Sequence, residues 1–432
     1  MQGVILAAGL GTRLRPYTKN YPKPLLKVAG REILFRHIYL LNQEGIQDFI
    51  IIINPAHRKY YEEFAQKNKQ FNIILVENPI PERGNGYSFY LAKNYVSGRF
   101  VLTMGDHIYE PAFIKHAIKK RGLIVDEKGL FINPEEATKA LCQNGRVISL
   151  GKDLTNFTGF DTGFFILEKD VFTAAEKLID HKEEISLSEI MCQAKIPCSI
   201  LSGFFWMDVD TPEDLKRATE ELIRLAPKGA GDGFISRHLN RKVSTWVSAK
   251  VCHFLTPNQA TVLTTLLGIF AAAMLFVSPR WAAFLYQLSS MLDGMDGEIA
   301  RASLRTSPFG GWLDSVLDRF VDFFFLAGLF LIWQPEPLWD KAFGLMAIFG
   351  SFMVSYVAER YKGAFGRDIY QDIPFLRNLP GKRDERVFFI MVMVFLGLIR
   401  ELFWILAIVC NLRVAITLIL VARRSFKPKG QA

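Results

Sequence analysis

Four aspartates, Asp293, Asp296, Asp314 and Asp318, stand among long apolar segments in the run DGMDGEIARASLRTSPFGGWLDSVLD. A carboxylate in hydrocarbon is costly, and one kept there generally binds a ligand or moves a proton. Four of them in two close pairs repel one another unless divalent cations or protons compensate the charge. An all-oxygen donor set favours Mg2+, with Mn2+ as the alternative, over zinc. The spacing within each pair, Asp293 to Asp296 and Asp314 to Asp318, places both members on one helix face. A short turn near Thr306 to Pro308 folds the two helices together. Gly294, Gly297, Gly310 and Gly311 then let a backbone or a bulky ligand come close. The competing reading is an ion-conducting or structural carboxylate cluster, which leaves the adjoining glycines and Arg301 unexplained.

A second group of candidate residues lies at the start of the chain. Gly3 to Ala8 is an apolar run ending in Gly9-Leu10-Gly11-Thr12-Arg13, the pattern of a buried strand entering a glycine-rich turn. Such a turn can turn backbone N–H groups toward a phosphate, or it can be only a tight turn. Arg13, Arg15 and Lys23 follow, and Pro22 and Pro24 hold Lys23 in an extended frame. A lysine fixed beside a phosphate cradle neutralises charge as phosphorus is attacked. The alternative is an exposed basic loop. Asp106 follows a strand in VLTMGDH, and Asp208 ends another in FFWMDVDTPEDL. Two such carboxylates could share a magnesium ion with nucleotide phosphates. Each could equally be a loop residue or a helix cap.

The elements that must position these residues differ between the two halves. Strands are expected at Phe49–Ile53, Asn72–Val76 and Phe100–Thr103, with helices near 31–44, 56–68 and 86–94. That alternation predicts an α/β domain with a mostly parallel, Rossmann-like sheet, its ligands beyond the strand C-termini. The segment APKGAGDG, from Ala226 to Gly233, marks a boundary. Three regions follow: 1–225, a linker with an amphipathic juxtamembrane helix at 226–257, and an all-α membrane domain at 258–432. In 234–255, basic residues alternate with apolar ones. They suit a helix lying at a membrane surface or one packed on the next domain.

Apolar segments at about 259–278, 281–301, 310–333, 339–360, 385–400 and 402–422 predict six transmembrane helices, with the last turn at Arg400-Glu401. With both termini cytoplasmic, Arg301, Arg305, Arg367, Arg377, Arg423 and Arg424 fall inside. Only Arg280, Lys341 and Arg400 then lie near the outer turns, a clear positive-inside bias. The expected location is a multi-pass protein of the cell membrane with a cytoplasmic N-terminal domain. The opening MQGVILAAGLGTR lacks the pattern of a signal peptide.

The net charge of +9 and pI of about 9.2 suit phosphorylated substrates or an anionic membrane surface. Because the cations flank apolar segments, nucleic acid is not an expected partner. The five cysteines are scattered, without zinc-site spacing or a disulfide framework. The basic segment 360–386 offers Arg360, Lys362, Lys382, Arg383 and Arg386 as candidates for an acceptor's phosphate, unless they are ordinary flanking charges.

LAAGLGTRLRPYTKNYPKPLLKVAG resembles the signature of the sugar-phosphate nucleotidyltransferases. The resemblance covers roughly residues 1–225. It implies that Gly9, Gly11 and Arg13 hold a nucleoside triphosphate, that Lys23 contacts its phosphates, and that Asp106 and Asp208 hold magnesium. Gly84 and Asn85 look like that family's base- and sugar-facing loop.

The pattern D-x2-D-G-x2-A-R-x8-G-x3-D-x3-D, from Asp293 through Asp318, resembles the complete signature of the CDP-alcohol phosphotransferases. It implies two divalent ions held by the four aspartates, with Asp318 also the general base. Gly297, Ala300 and Arg301 would form the nucleotide-binding surface. Asp322, one turn further along, is either a supporting residue or a bystander.

The whole chain resembles the archaeal family of bifunctional inositol-phosphate cytidylyltransferases and di-myo-inositol phosphate phosphate synthases. That resemblance implies CTP, inositol 1-phosphate and CDP-inositol as ligands, a compatible-solute precursor as product, and a homodimer. The alternative is a phospholipid synthase using a CDP-lipid donor, with the soluble domain separate or regulatory. A transporter would show repeated segments and a polar path, and neither is found.

Overall fold

The computed structural model describes residues 1–227 and 233–425. It forms two compact units, Met1–Leu222 and Ile223–Ala432. Within the expected linker, Lys228 to Asp232 lie outside the described residues.

The strands of the first unit are β1 (Gln2–Ala7), β2 (Lys27–Val28), β3 (Arg31–Glu32), β4 (Asp48–Ile53), β5 (Asn72–Glu77), β6 (Phe100–Met104), β7 (His107–Tyr109), β8 (Gly122–Asp126), β9 (Lys139–Gln143), β10 (Arg146–Gly151), β11 (Gly159–Leu167), β12 (Cys198–Ile200) and β13 (Trp206–Asp208). Its helices are α1 (Ile33–Gln43), α2 (Arg58–Lys67), α3 (Asn85–Leu91), α4 (Pro111–Ala117), α5 (Val171–Ile179), α6 (Leu187–Gln193) and α7 (Pro212–Leu225). The main sheet runs β10-β9-β11-β6-β1-β4-β5, with β8 on β11 and β12 on β8. β1, the strand before the glycine turn, lies parallel between β4 and β6. All three are near-continuous apolar runs, as strands covered on both faces must be. Val4, Leu6, Ile50, Ile52 and Leu102 enter one core with Phe89 and Phe172, whose rings stack at 4.6 Å.

The expectation of a mostly parallel sheet is corrected. β11 pairs antiparallel with β6, β8 and β9, and β9 with β10, so the sheet is mixed. The β9–β10 hairpin turns at Asn144-Gly145, both at positive φ, a dipeptide that favours such turns. The same turn corrects the cysteine reading. Gly145 O accepts from Cys198 N at 2.9 Å, and Cys142 forms a disulfide with Cys198 at a Cα–Cα separation of 6.5 Å. Strand pairing brings these cysteines together from 56 residues apart, which no local spacing reveals.

The second unit is helical. After a π-turn at Ser236–Asn240 come α8 (Arg241–Val251), α9 (Pro257–Met274), α10 (Pro279–Leu292), α11 (Met295–Ala302), α12 (Pro308–Trp333), α13 (Leu338–Phe365), α14 (Ile369–Asp372), α15 (Arg383–Phe395) and α16 (Ile399–Ser425). Thr256 and Gln259 form a capping box at the start of α9, and Ser307 caps α12 by accepting from Gly310 N at 3.0 Å. Tyr286 and Phe325 stack at 4.0 Å in the bundle core beside Val321, Leu326 and Phe403.

Two expectations about this half change. The segment 281–301 is not one helix, because α10 ends at Leu292 and α11 begins at Met295. Asp293 and Asp296 therefore belong to a turn and to the following helix rather than to one helix face. The turn before α16 is centred on Gly397, with φ of 74°, so Arg400 and Glu401 lie in the first turn of α16. Among the described residues, Leu338–Phe365 and Ile399–Arg424 are long and apolar enough to cross a membrane. α10 has 14 residues and α15 has 13, and α12 carries Asp314 and Asp318 in its first half and Asp322 just past its middle.

His37, on α1, is fully enclosed, sits edge-on to Tyr109 and has neither ring nitrogen hydrogen-bonded. Burial lowers its pKa to about 4. The unfolded chain then binds the extra proton first, so His37 costs stability as pH falls from 6.5 toward 4 and is neutral above that window. His37→Phe should gain stability over the parent through that window, by up to about 3 kcal/mol at about 1.4 kcal/mol per pH unit. Urea unfolding of the first unit at pH 4.5 and 7.5 checks this; an equal difference at both pH values contradicts it.

Candidate active sites

The first site gathers where β1 and β6 end. The turn after β1 reaches Gly11, whose φ of 59° favours glycine and whose carbonyl accepts from Thr18 Oγ1 at 2.7 Å. Lys23 is buried, and its Nζ lies 2.7 Å from Asp106 Oδ2 and 2.5 Å from Asp210 Oδ1. Arg13 reaches the other side of Asp210 at 2.6 Å. Lys23 is thus enclosed by carboxylates and is not the exposed basic loop of the alternative reading. Burial acts to lower its pKa, but Asp106 and Asp210 outweigh that effect and raise it. Asp106 feels burial in the upward sense. Lys23 and His107, whose Nδ1 is 2.8 Å away, hold it well below the usual carboxylate range.

Asp208 stands opposite His107 in the β7–β13 ladder. Burial, with the charges of Asp210 and Asp106 adding, raises its pKa. Asp210 is the residue that sequence reasoning missed. Its signal was the spacing: Asp208 and Asp210 flank Val209, which is fully buried directly after β13. Asp161 is pushed up by burial to about 6, against the pull of the Gly163 N–H and His107.

Two expected nucleotide residues have a visible structural task. Gly84 has φ of 89°, and a Cβ there would stand 2.5 Å from the Ile185 carbonyl. The Asn85 side chain accepts from Leu187 N at 2.7 Å, so this turn docks against the start of α6. Gly9 has open space around it.

The second site lies where the end of α10, the first half of α12 and the start of α15 meet. Carboxylate oxygens of Asp293, Asp314 and Asp318 all fall within 4.8 Å of one another. Among the described residues, no other group of three acidic, histidine or cysteine side chains has this geometry. Arg383 contacts Asp293 at 2.8 Å, Asp318 at 3.0 Å and Asp322 at 3.1 Å, each through a different nitrogen. Asp322 also accepts from Tyr286 Oη at 2.8 Å and faces Arg386 at 3.6 Å. It is therefore an anchor for Arg383 rather than a bystander. Asp296 accepts from Thr261 Oγ1 at 2.9 Å, which fixes its carboxylate toward α9.

On α11, Gly297 leaves space for the Arg301 guanidinium, whose Nε donates to the Ala226 carbonyl. Ala300 lies on the same short helix. A cavity of about 1440 Å³ opens over the aspartates, lined also by Gly311, Lys362, Lys382 and Arg383. Arg360 and Arg386 do not line it. Arg386 is buried and donates to Gly381 O, so the expected acceptor cluster divides.

The donor chemistry of the second site suits a hard divalent cation: three carboxylates converge, with Asp296 adjacent and no nitrogen or sulfur ligand among them. In the first site Lys23 separates Asp106 from Asp210. The carboxylates are of the right type for a divalent ion, but an ion would have to share them with that ammonium.

The comparisons agree with this division. The nucleotidyl transferase family model matches residues 2–224, and the CDP-alcohol phosphatidyltransferase model matches residues 254–419. The protein is thus a transferase combining these two catalytic domains, the first a mixed α/β sheet and the second all-helical. A bifunctional IPC transferase and DIPP synthase of Aquifex aeolicus is 51% identical over 428 residues, covering 99% of this chain and 98% of that one. Its counterpart in Thermococcus kodakarensis is 49% identical over 432 residues, covering 99% of each. The chain belongs to the family of bifunctional IPC transferases and DIPP synthases. The solved structure of an inositol-1-phosphate CTP transferase from T. maritima covers 50% of this chain and 94% of its own, at 28% identity and a TM-score of 0.46.

The convergence of carboxylates predicts an ordering of metal affinities. Asp293→Asn and Asp314→Asn should each weaken Mn2+ binding by about tenfold or more, at 1.4 kcal/mol per decade. Asp296→Asn, held by Thr261, should weaken it less. Electron paramagnetic resonance of free Mn2+ titrated into the purified chain measures this. Equal effects at all three positions would remove the distinction.

Proposed function

We propose that the first unit makes CDP-inositol and pyrophosphate from CTP and inositol 1-phosphate. The second unit then transfers phosphoinositol from CDP-inositol to another inositol 1-phosphate, releasing CMP. The observation that carries this reading is the pairing of two transferase domains on one chain, in a family whose members are named for both activities.

In the first step a phosphate oxygen of inositol 1-phosphate attacks the α-phosphorus of CTP, and the bond to pyrophosphate breaks. Gly9 and Gly11 form the turn that faces the triphosphate. Arg13 and Lys23 exchange Asp210 and Asp106 for phosphate oxygens and offset the developing charge. Gly84 and Asn85 shape the neighbouring wall, and Asp106 and Asp208 would hold magnesium, which would offset charge on the phosphates.

In the second step a hydroxyl of the acceptor attacks the β-phosphorus of CDP-inositol and the bond to CMP breaks. Asp318 takes the hydroxyl proton. Arg383 fixes the direction of that carboxylate. Asp293, Asp296, Asp314 and Asp318 would hold two Mg2+ ions, with Mn2+ as a substitute; bound ions polarise phosphoryl oxygens. Gly297, Ala300 and Arg301 form the nucleotide face. Lys362, Lys382 and Arg383 on the cavity wall suit the acceptor's phosphate, and Arg360 and Arg386 support that basic region from outside the cavity. The proposed setting is a cell-membrane homodimer with six crossings and both termini and the first unit in the cytoplasm.

A specific observation favours examining a lipid donor as well. A groove of about 590 Å³ between α12 and α13, lined by Leu326, Phe330, Leu345 and Phe349, shares Arg319, Phe323 and Phe352 with the main cavity.

Phosphorus NMR of the purified chain with CTP, inositol 1-phosphate and Mg2+ should show CDP-inositol, then CMP and a phosphodiester. Lys23→Met should slow pyrophosphate release by about 10²–10³-fold. It should leave CMP release from supplied CDP-inositol intact. Asp318→Asn should do the reverse. Loss of both steps in either variant, or preference for CDP-diacylglycerol over CDP-inositol, contradicts the assignment.

A further inference from the structure

A cleft of about 430 Å³ in the first unit is lined by none of the residues assigned to either reaction. Its size falls within the range of about 300–1,000 Å³ common for small-molecule sites. The floor is apolar, built from Ile166 and Leu167 on β11, Val171 and Ala174 on α5, and Ile196. Five cations surround that floor: Arg99, Arg121, Arg146, Lys177 and Lys195. Two carboxylates, Glu168 and Asp170, stand with them, and Glu168 lies 3.9 Å from Arg99 Nε. Positive charge therefore dominates the cleft.

These cations come from distant parts of the chain, and backbone contacts bring them together. Arg99 directly precedes β6, and its Nη2 donates to the Lys120 carbonyl at 2.7 Å, close to the start of β8. Arg121 directly precedes Gly122, whose φ is 70° and where a Cβ would collide with the Pro197 carbonyl. Glycine is required there on both counts. Leu123 N then donates to that same carbonyl at 2.9 Å, which sets Arg121 beside the segment carrying Lys195. The segment is also bound to β10: Val147 N donates to Ile196 O, and Arg146 Nη1 to Lys195 O, both at 2.9 Å. Among the described residues, the side chains of Arg121, Lys177 and Lys195 have no hydrogen bond or ion pair within the chain, and none of the three has a contact left undescribed.

Like charges gathered on a fixed backbone repel, and a bound anion removes that repulsion. Guanidinium forks and ammonium groups are the natural partners of phosphate oxygens. The apolar floor suits the carbon skeleton of the same ligand. We infer that this cleft is a binding site for a phosphate-bearing organic anion, drawn from a soluble phosphorylated metabolite or from the headgroup of an anionic lipid. β6 runs from Arg99 at the cleft toward Asp106 of the first catalytic site and has five residues, about 17 Å of extended chain. The two sites thus lie at opposite ends of one strand, and the ligand is not a reactant of the transfer at Asp106.

The test uses the full-length chain in neutral detergent with EDTA, which withholds divalent ions from both catalytic sites. Isothermal titration calorimetry follows two probes: fructose 1,6-bisphosphate, and dihexanoylphosphatidylglycerol with dihexanoylphosphatidylcholine as the zwitterionic control. Binding of the bisphosphate identifies the soluble source, and binding of the glycerol lipid but not the choline lipid identifies the headgroup. The double variant Arg121→Ala, Lys177→Ala should weaken that binding by about tenfold or more, since two charge-assisted contacts are lost. The charge-keeping variant Arg121→Lys, Lys177→Arg should retain most of it. Melting temperatures without probe should match the parent in both variants, because neither side chain has a partner to lose. Equal binding by the parent and the alanine variant, or binding of neither probe by the parent, would overturn the inference.

Discussion

Three carboxylates converging in an apolar bundle repel one another, and the protein must offset that repulsion before it can use it. Arg383 does so within the chain. Its three nitrogens reach Asp293 at the end of α10 and Asp318 and Asp322 on α12. The guanidinium therefore ties together three elements that the sequence keeps far apart. Tyr286 and Arg386 hold Asp322 from behind, and the stacked Tyr286–Phe325 pair joins this polar layer to the apolar core beneath it. Removing one partner from such a network leaves charge unpaired in a poorly solvated place, which costs more than the pair contributes. Loss of Arg383 would therefore affect the bundle as well as the site.

The first unit solves a related problem with the opposite sign. There a single ammonium, Lys23, is the buried charge, and Asp106 and Asp210 surround it. In both units a cation lies among the acidic groups. Each acidic cluster is thus ordered by contacts within the chain itself.

Much of this was legible in the sequence. The apolar run before Gly9-Leu10-Gly11 marked β1, and the spacing from Asp293 to Asp318 marked four aspartates as a cluster, of which three converge while Asp296 accepts from Thr261. What escaped depends on distant pairing. The antiparallel half of the sheet and the Cys142–Cys198 bridge arise from strand partners remote in sequence. Asp210 was overshadowed by Asp208, although it lies only two residues further on and contacts both Arg13 and Lys23. Helical periodicity across 281–301 concealed the break at Asp293-Gly294, since the turn itself stays close to helical dihedrals. The division of the basic segment, with Lys382 and Arg383 at the cavity and Arg386 turned inward, follows from the rotation of α15, which composition does not reveal.

The break after α10 has a consequence for depth. At 1.5 Å per residue, α10 is about 21 Å long and α15 about 20 Å, against a hydrocarbon layer of about 30 Å. One ends just before Asp293 and the other begins at Arg383. The cavity of about 1440 Å³ opens at this meeting point, with Asp293, Asp314, Asp318 and Arg383 in its lining. A polar layer is thereby kept together inside an otherwise apolar helical unit.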